Sequence, residues 1–189
     1  MGQLAVVVSP DIVLAAIKGE PSALESLAEA YWPIAYRLAV TVLGQRGPDA
    51  QDAAQDATLS LTRGVSRLTD PSRINAWGAV IAIRSAQRVK RGRKNVIQLD
   101  QLHLASTAGC HDDVLDMEGA LRSLPPELRI PLVLHVVFGY TSSEAGSILG
   151  VPDGTVRYRI SRARDRLRAA LSGADDALLK GRKNDASVR

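Results

Sequence analysis

The chain has 189 residues, a net charge of +4 and 46% apolar residues, which suits one or two folded domains. Aromatic residues make up only 4% of it, so we expect helices that pack through Ala, Leu, Ile and Val. Cys110 is the single cysteine, which excludes an internal disulfide framework. The apolar run at residues 4–8 is too short to span a membrane and lacks the pattern of a secretion signal. We therefore expect a cytoplasmic protein with no membrane span.

The first predicted helices lie between residues 11 and 44. Apolar residues recur at helical spacing over 24–43, and Gly44 ends the pattern. Pro33 falls inside this stretch and predicts a kink or a boundary, because proline lacks the backbone N–H that an inner helical turn needs. Pro48 then suits the first position of the next helix.

The helix predicted over residues 49–68 has two different faces. Its inner stripe comprises Ala50, Ala53, Ala57, Leu61, Val65 and Leu68. Its outer face carries Gln51, Asp52, Gln55 and Asp56 near the N-terminus. The helix dipole favours acids there, which is a purely structural explanation. An acidic surface that docks a basic partner helix is the functional explanation, and periodicity does not decide between the two.

A turn cluster at residues 69–72 precedes another long predicted helix. Arg84, Arg88 and Arg91 follow one another along it at positions i, i+4 and i+7. A basic stripe beside a polar turn suits single-stranded or distorted DNA, whose phosphates need neutralising while bases are splayed out. A solvated basic face is the alternative.

Residues 93–112 lose this periodicity and predict a flexible linker between an N-terminal domain, 1–92, and a C-terminal domain, 113–172. The polar stretch 173–189 predicts a disordered tail. Three residues of metal-binding types occur in the linker, but they lack the paired spacing of a zinc site, so we expect no metal. These residues are His103, Cys110 and His111.

The stretch 124–171 predicts three helices joined by short turns. Thr141 and Glu144 form a capping box at the start of the second helix, and Gly150 ends it. A third helix opens near Asp153. The C-terminal domain is therefore predicted to be a helix-turn-helix.

The third helix predicts DNA binding. Its apolar stripe, which must pack inward, comprises Val156, Ile160, Ala163 and Leu167. Tyr158, Ser161 and Arg162 lie on the side opposite this stripe. Residues 157–168 contain six arginines and only one acidic residue. The major groove accepts one α-helix, and flanking arginines can hold phosphates. A plain solvated helix is the alternative.

Two parts of the chain are similar to extracytoplasmic-function (ECF) sigma factors of bacterial RNA polymerase. Five short motifs resemble the fourth conserved region of that family. They are LPP at 124–126, GVP at 150–152, GTVR at 154–157, RAR at 162–164 and RL at 166–167. DAQDAAQD at 49–56 is similar to the acidic motif of the second conserved region. The resemblance implies an all-α protein with two small helical domains joined by a flexible linker.

The resemblance also implies roles for individual residues. The −35 element would be read by Thr155, Arg157, Tyr158, Ser161, Arg162 and Arg164. The −10 element and its melting would involve Arg67, Asp70, Ser72, Arg73, Asn75, Arg84, Arg88 and Arg91. The clamp helices of the polymerase largest subunit would contact Asp52, Gln55, Asp56 and Leu59.

The long basic helix departs from the family pattern. Arg84 and Arg88 stand where the family usually has Asn and Asp, and Gly78 and Ala79 stand where a tyrosine often follows the tryptophan. We therefore expect an unusual −10 preference.

The resemblance implies a transcription initiation factor that performs no chemistry and needs no cofactor. Core RNA polymerase, promoter DNA and an anti-sigma factor are the expected partners. An autonomous helix-turn-helix regulator is the alternative, and such proteins usually dimerise to read two half-sites. A nuclease acting through Asp52 and Asp56 fits less well, because metal-dependent cleavage needs convergent acids and these alternate with glutamines on one face.

Overall fold

The computed structural model describes residues 9–100 and 117–185, and every regular element within these ranges is helical. The α-helices are α1 (Pro10–Ile17), α2 (Pro21–Leu43), α3 (Pro48–Gly64), α4 (Ile74–Asp100), α5 (Met117–Ser123), α6 (Pro126–Val136), α7 (Ser142–Leu149) and α8 (Asp153–Asp185). Two 3₁₀ turns, Val65–Arg67 and Pro71–Arg73, connect α3 to α4. The all-α prediction is confirmed.

The N-terminal helices α2, α3 and α4 pack on one another, and α1 covers α2. The predicted inner stripe of α3 is buried, with Ala53, Ala57 and Leu61 fully enclosed. Alanines on this stripe let the helix axes approach closely. Each fully buried leucine contributes about 1.5–3 kcal/mol to folding.

Pro33 lies on the exposed side of α2, and the helix continues through it. The neighbouring residues Tyr31 and Ala35 are buried and hold both halves of the helix against the core. Water can satisfy the carbonyl that loses its partner, because that side of the helix faces solvent. A helix boundary at Pro33 is therefore wrong.

Two helices are longer than the sequence predicted. Helix α4 reaches Asp100, so residues 93–100 of the predicted linker are helical; they contain neither proline nor glycine to end the helix. Helix α8 reaches Asp185, so residues 173–185 of the predicted tail are helical; this stretch contains no proline. The remaining linker and residues 186–189 lie outside the described ranges, as do His103, Cys110 and His111.

The C-terminal helices α6, α7 and α8 form the predicted helix-turn-helix. Val156 and Ala163 on α8 are fully buried. The capping box is present: Thr141 Oγ1 accepts the N–H of Glu144 at 3.2 Å, and the Glu144 carboxylate accepts the N–H of Thr141 at 2.8 Å. The N–H and the hydroxyl of Thr141 both donate to the Glu144 carboxylate, and these two hydrogen bonds lower the pKa of Glu144. Gly150 ends α7 with φ of +68°, a left-handed conformation that favours glycine.

The two groups of helices also pack against each other. Helix α6 contacts α2, and α7 contacts α4. Arg129 of α6 is 6% exposed and donates from Nε to the carbonyl of Thr41 at 2.7 Å. One apolar core therefore runs through both groups.

Candidate nucleic-acid interface

The outer side of α8 presents the side chains to which the family resemblance assigns reading of the −35 element. We call Thr155, Arg157, Tyr158, Ser161, Arg162 and Arg164 the reading face. Thr155 is half-buried and the other five are exposed, Tyr158 to 64%. The buried stripe through Val156 and Ile160 turns these residues outward. A single projecting helix with donors on its outer side is the shape that the major groove accepts.

Two arginines of α8 are held by acids on the same helix. Arg157 Nη1 lies 2.8 Å from Asp153 Oδ2, and Arg168 Nη1 lies 3.2 Å from Asp165 Oδ1. All four side chains are at least half exposed, so each pair contributes no more than about 0.5 kcal/mol. The ion pairs orient the guanidinium groups. Because each pair is weak, a phosphate could replace the carboxylate partner at a small cost in free energy.

A cleft lies between the reading face of α8 and helices α6 and α7. It is lined by His135, Ser142, Arg157, Ser161, Arg164 and Arg168, among others. His135 Nδ1 lies 2.8 Å from the carbonyl of Tyr140, a contact that requires Nδ1 to carry the hydrogen. No local motif distinguishes His135 from a core histidine, so the sequence gives no sign of its place in this cleft.

The polar turn between α3 and α4 is built from the two 3₁₀ turns. Asp70 Oδ1 accepts the N–H of Ser72 at 3.0 Å and its hydroxyl at 2.7 Å, and these bonds lower the pKa of Asp70. Helix α1 packs against both turns. Arg67 and Arg73 are exposed, and Asn75 is half-buried. The Asp70–Ser72 hydrogen bonds and the packing of α1 therefore stabilise the turn, while its arginines face solvent.

Arg88 and Asp56 form an ion pair, although the sequence analysis placed them on separate surfaces. Arg88 Nη1 lies 2.7 Å from Asp56 Oδ2, and Ser85 Oγ donates to the same oxygen at 2.9 Å. The sequence gives no sign of the role of Ser85, because its partner Asp56 lies on another helix. The stripe residues Arg84 and Arg91 are exposed. One ion pair therefore joins the acidic face of α3 to the basic stripe of α4.

The acidic face of α3 differs in character from the arginine surfaces. Asp52, Gln55 and Leu59 are exposed, Leu59 to 44%, and Asp56 is half-buried. These four residues follow one another along a single side of the helix. Carboxylates repel DNA phosphates, and an exposed leucine favours an apolar contact. This face therefore suits a protein partner.

The glycine that departs from the family pattern accommodates a tyrosine. The Tyr31 hydroxyl donates to the carbonyl of Gly78 at 2.7 Å. A Cβ atom at position 78 would lie 2.8 Å from Cε2 of Tyr31 and 3.1 Å from Cδ1 of Leu61. Tyr31 thus fills from α2 the space that a side chain at position 78 would need.

Among the residues that the structure describes, His, Cys, Asp and Glu side chains form no group of three or more able to hold a metal ion. Within the same ranges, no helix combines the length and apolarity that crossing a membrane requires.

Comparison with known protein families gives two matches. Residues 27–96 match the family described as sigma-70 region 2, and residues 115–167 match the family described as sigma-70, region 4. The first match contains the acidic face, the polar turn and the basic stripe. The second contains the reading face.

Two relatives have similar sequences. The ECF RNA polymerase sigma factor SigM of Mycobacterium tuberculosis is 28% identical over 85% of this chain and 83% of its own length. The ECF RNA polymerase sigma factor SigE of Mycolicibacterium smegmatis is 34% identical over 72% of this chain and 57% of its own length.

Two solved structures share the fold. The sigma factor RpoE of Bartonella quintana, in complex with the anti-sigma factor NepR, superposes with a TM-score of 0.65, at 24% identity over 75% of this chain and 92% of that one. CnrH, in complex with the cytosolic domain of CnrY, gives a TM-score of 0.63, at 23% identity over 87% of this chain and 97% of that one.

Proposed function

Because this chain belongs to the extracytoplasmic-function (ECF) sigma factors of bacterial RNA polymerase, we propose that it binds core polymerase and directs it to promoters with −35 and −10 elements. Sigma factors are transcription initiation factors. We propose accordingly that this chain acts as an adaptor without catalysis or a cofactor, in the cytoplasm. The observation that carries the proposal is one chain with an outward basic helix and a separate acidic, leucine-bearing helix face.

The reading face of α8 would enter the major groove at the −35 element. Arg162 offers the planar fork of donors that pairs with guanine, while Arg164 and Arg168 would contact phosphates on the walls of the groove. A single recognition helix makes few base contacts, so the isolated protein should bind duplex DNA weakly. The protein would select promoters once it is bound to polymerase, because the −35 and −10 contacts then act together.

The acidic face of α3 would dock on the clamp helices of the polymerase largest subunit. Asp52 and Gln55 supply acceptors, and the exposed Leu59 supplies an apolar side chain to the contact. Asp56 takes part while it is held by Ser85 and Arg88. The proposed division into a polymerase-binding N-terminal domain and a −35-reading C-terminal domain follows from this placement.

The polar turn and the basic stripe would handle the opened −10 region. Arg67 and Arg73 flank the turn, and Asp70 and Ser72 shape it through their mutual hydrogen bonds. Arg84 and Arg91 would neutralise phosphates of the separated strand. Arg88 forms an ion pair with Asp56. Its contact with DNA would therefore depend on whether Asp56 of the acidic face is bound to polymerase.

Charge reversal on the acidic face tests the proposal. Asp52→Lys should weaken binding to core polymerase at least tenfold, because the exposed carboxylate is replaced by a cation opposite a basic surface. The matched control is Glu25→Lys, an exposed acid on α2 that undergoes the same charge change. Fluorescence anisotropy of labelled protein titrated with core enzyme gives both affinities. Equal affinities for the two variants would remove the docking assignment.

A further inference from the structure

Two side chains of α4 hold one carboxylate of the acidic face. Ser85 Oγ donates to Asp56 Oδ2 at 2.9 Å, and Arg88 Nη1 donates to the same oxygen at 2.7 Å. Ser85 and Arg88 occupy positions i and i+3 of α4, so they lie on the same side of that helix. Asp56 is therefore oriented by a neighbouring helix, whereas Asp52 and Gln55 are exposed on the surface of α3.

The two donors differ in burial. Ser85 is 2% exposed, whereas the side chains of Arg88 and Asp56 are 70% and 48% exposed. A buried hydroxyl has no water to replace a lost partner, so its hydrogen bond to Asp56 is the stronger constraint. The exposed ion pair is screened by solvent and contributes less. Asp56 thus has a buried partner on α4 while about half of its own side chain still faces solvent.

The ion pair depends on the arginine that departs from the family pattern. The family usually has Asp at position 88, and two neighbouring carboxylates would repel each other. Arg88 attracts Asp56 instead, at 2.7 Å. The orientation of Asp56 by α4 is therefore a feature of this chain's own sequence.

The arrangement leaves acceptor capacity on Asp56. A carboxylate has two oxygens with about four acceptor sites in all, and both α4 donors use Oδ2. Oδ1 can therefore accept a hydrogen bond from a lysine or arginine of a partner while α4 keeps its contact with Oδ2. A side chain that is already oriented loses less conformational entropy on binding than one that turns freely.

We propose that Ser85 and Arg88 are positioning residues for polymerase binding, which hold Asp56 in the orientation that a cationic side chain of the clamp helices meets. Their task rests on the proposed function, because it takes the acidic face as the surface that docks. It requires no DNA, so it is separate from any contact that Arg88 makes with the −10 strand.

Removing the buried hydroxyl tests the role of Ser85. Ser85→Ala should weaken binding to core polymerase about three- to tenfold in the absence of DNA, as expected for the loss of a hydrogen bond to a charged group. Thr58→Val is the matched control, because Thr58 is also buried but its hydroxyl donates to the Ala54 carbonyl of its own helix at 2.9 Å. The control should keep the affinity of the unchanged protein. Fluorescence anisotropy of labelled protein titrated with core enzyme gives each affinity.

Removing the guanidinium group tests the role of Arg88. Arg88→Ala should weaken the same binding about twofold, less than Ser85→Ala, because the exposed ion pair is weak and its cation also repels a basic partner. Arg37→Ala is the matched control, an exposed arginine on α2 that undergoes the same charge change. If Arg88→Ala binds core polymerase as tightly as Arg37→Ala, Arg88 has no part in positioning Asp56.

A positioning role predicts that both effects disappear when Asp56 is absent. In an Asp56→Ala background, Ser85→Ala and Arg88→Ala should cause no further loss of affinity, because the carboxylate on which they act is gone. General damage to α4 would instead lower the affinity by the same factor in both backgrounds. Circular dichroism verifies that each variant is helical.

Two results would overturn the positioning role of Ser85. One is a Ser85→Ala variant that binds core polymerase as tightly as Thr58→Val, and the other is an equal loss of affinity with and without Asp56. In both cases the unchanged protein still binds, so the proposed function stands. An unchanged protein that fails to bind core polymerase would contradict the proposed function itself, and the positioning role would fall with it.

Discussion

Arginine has three different environments in this chain, and each permits a different task. Arg162 is exposed on the reading face and free to turn toward a base edge. Arg88 is exposed but shares its charge with Asp56. Arg129 is buried, and burial lowers its pKa, yet arginine remains charged in any case. Buried Arg129 therefore serves packing, whereas exposed Arg162 is available for the proposed DNA contact.

Replacing two arginines of α8 should separate base reading from phosphate contact. Arg162→Ala should weaken recognition of the preferred −35 sequence by about 1–3 kcal/mol and have little effect on a scrambled one. Arg168→Ala should weaken both sequences similarly, because a phosphate contact carries no sequence information. Competition binding of the polymerase complex to matched and scrambled −35 duplexes measures the difference. An equal loss on both duplexes for Arg162→Ala would contradict the base-reading assignment.

Periodicity was enough to predict which residues face outward, but not what they touch. Asp52, Gln55 and Leu59 are exposed as the stripe on α3 implied. The hydrogen bonds from Ser85 and Arg88 to Asp56 join side chains 29 and 32 positions apart. Such pairs depend on how α3 and α4 cross, which local spacing does not specify.

At the scale of the element, helix starts were predictable and helix ends were less so. The capping box at α7 and the left-handed Gly150 are local signals, and both are confirmed. Helices α4 and α8 run past their predicted ends because polar residues alone do not stop a helix. Pro33 gave the opposite error, since an exposed proline was accommodated within α2.

The turn of the helix-turn-helix depends on a close backbone approach at Gly146. Gly146 accepts the N–H of Val151 at 3.0 Å, and a Cβ atom at position 146 would lie 2.7 Å from the carbonyl oxygen of Val151. Gly146→Ala should therefore lower the free energy of unfolding by about 1–3 kcal/mol, since the turn must open to admit a methyl group. Urea denaturation followed by circular dichroism measures the change.

Gly154→Ala is the control for this prediction. A Cβ atom there would approach only Nη2 of Arg157, at 4.0 Å, so alanine should be neutral or stabilise α8 by up to about 1 kcal/mol. If Gly146→Ala and Gly154→Ala unfold at the same urea concentration, the close approach at the turn does not limit stability.

At the scale of the whole molecule, the sequence indicated two helical groups but not their contact. The Arg129 to Thr41 hydrogen bond joins residues 88 positions apart and belongs to neither domain's own pattern. The acidic face, polar turn and basic stripe lie on one group, and the reading face lies on the other. A protein that must hold polymerase and read two separated promoter elements needs its surfaces divided in this way.

Run-off transcription tests the central claim most directly. Purified core RNA polymerase is incubated with a library of bacterial promoters, with and without this protein. We expect transcripts that depend on the protein and share a −35 and a −10 element. If no such transcripts form and the protein does not co-elute with core polymerase, the chain does not act as a sigma factor.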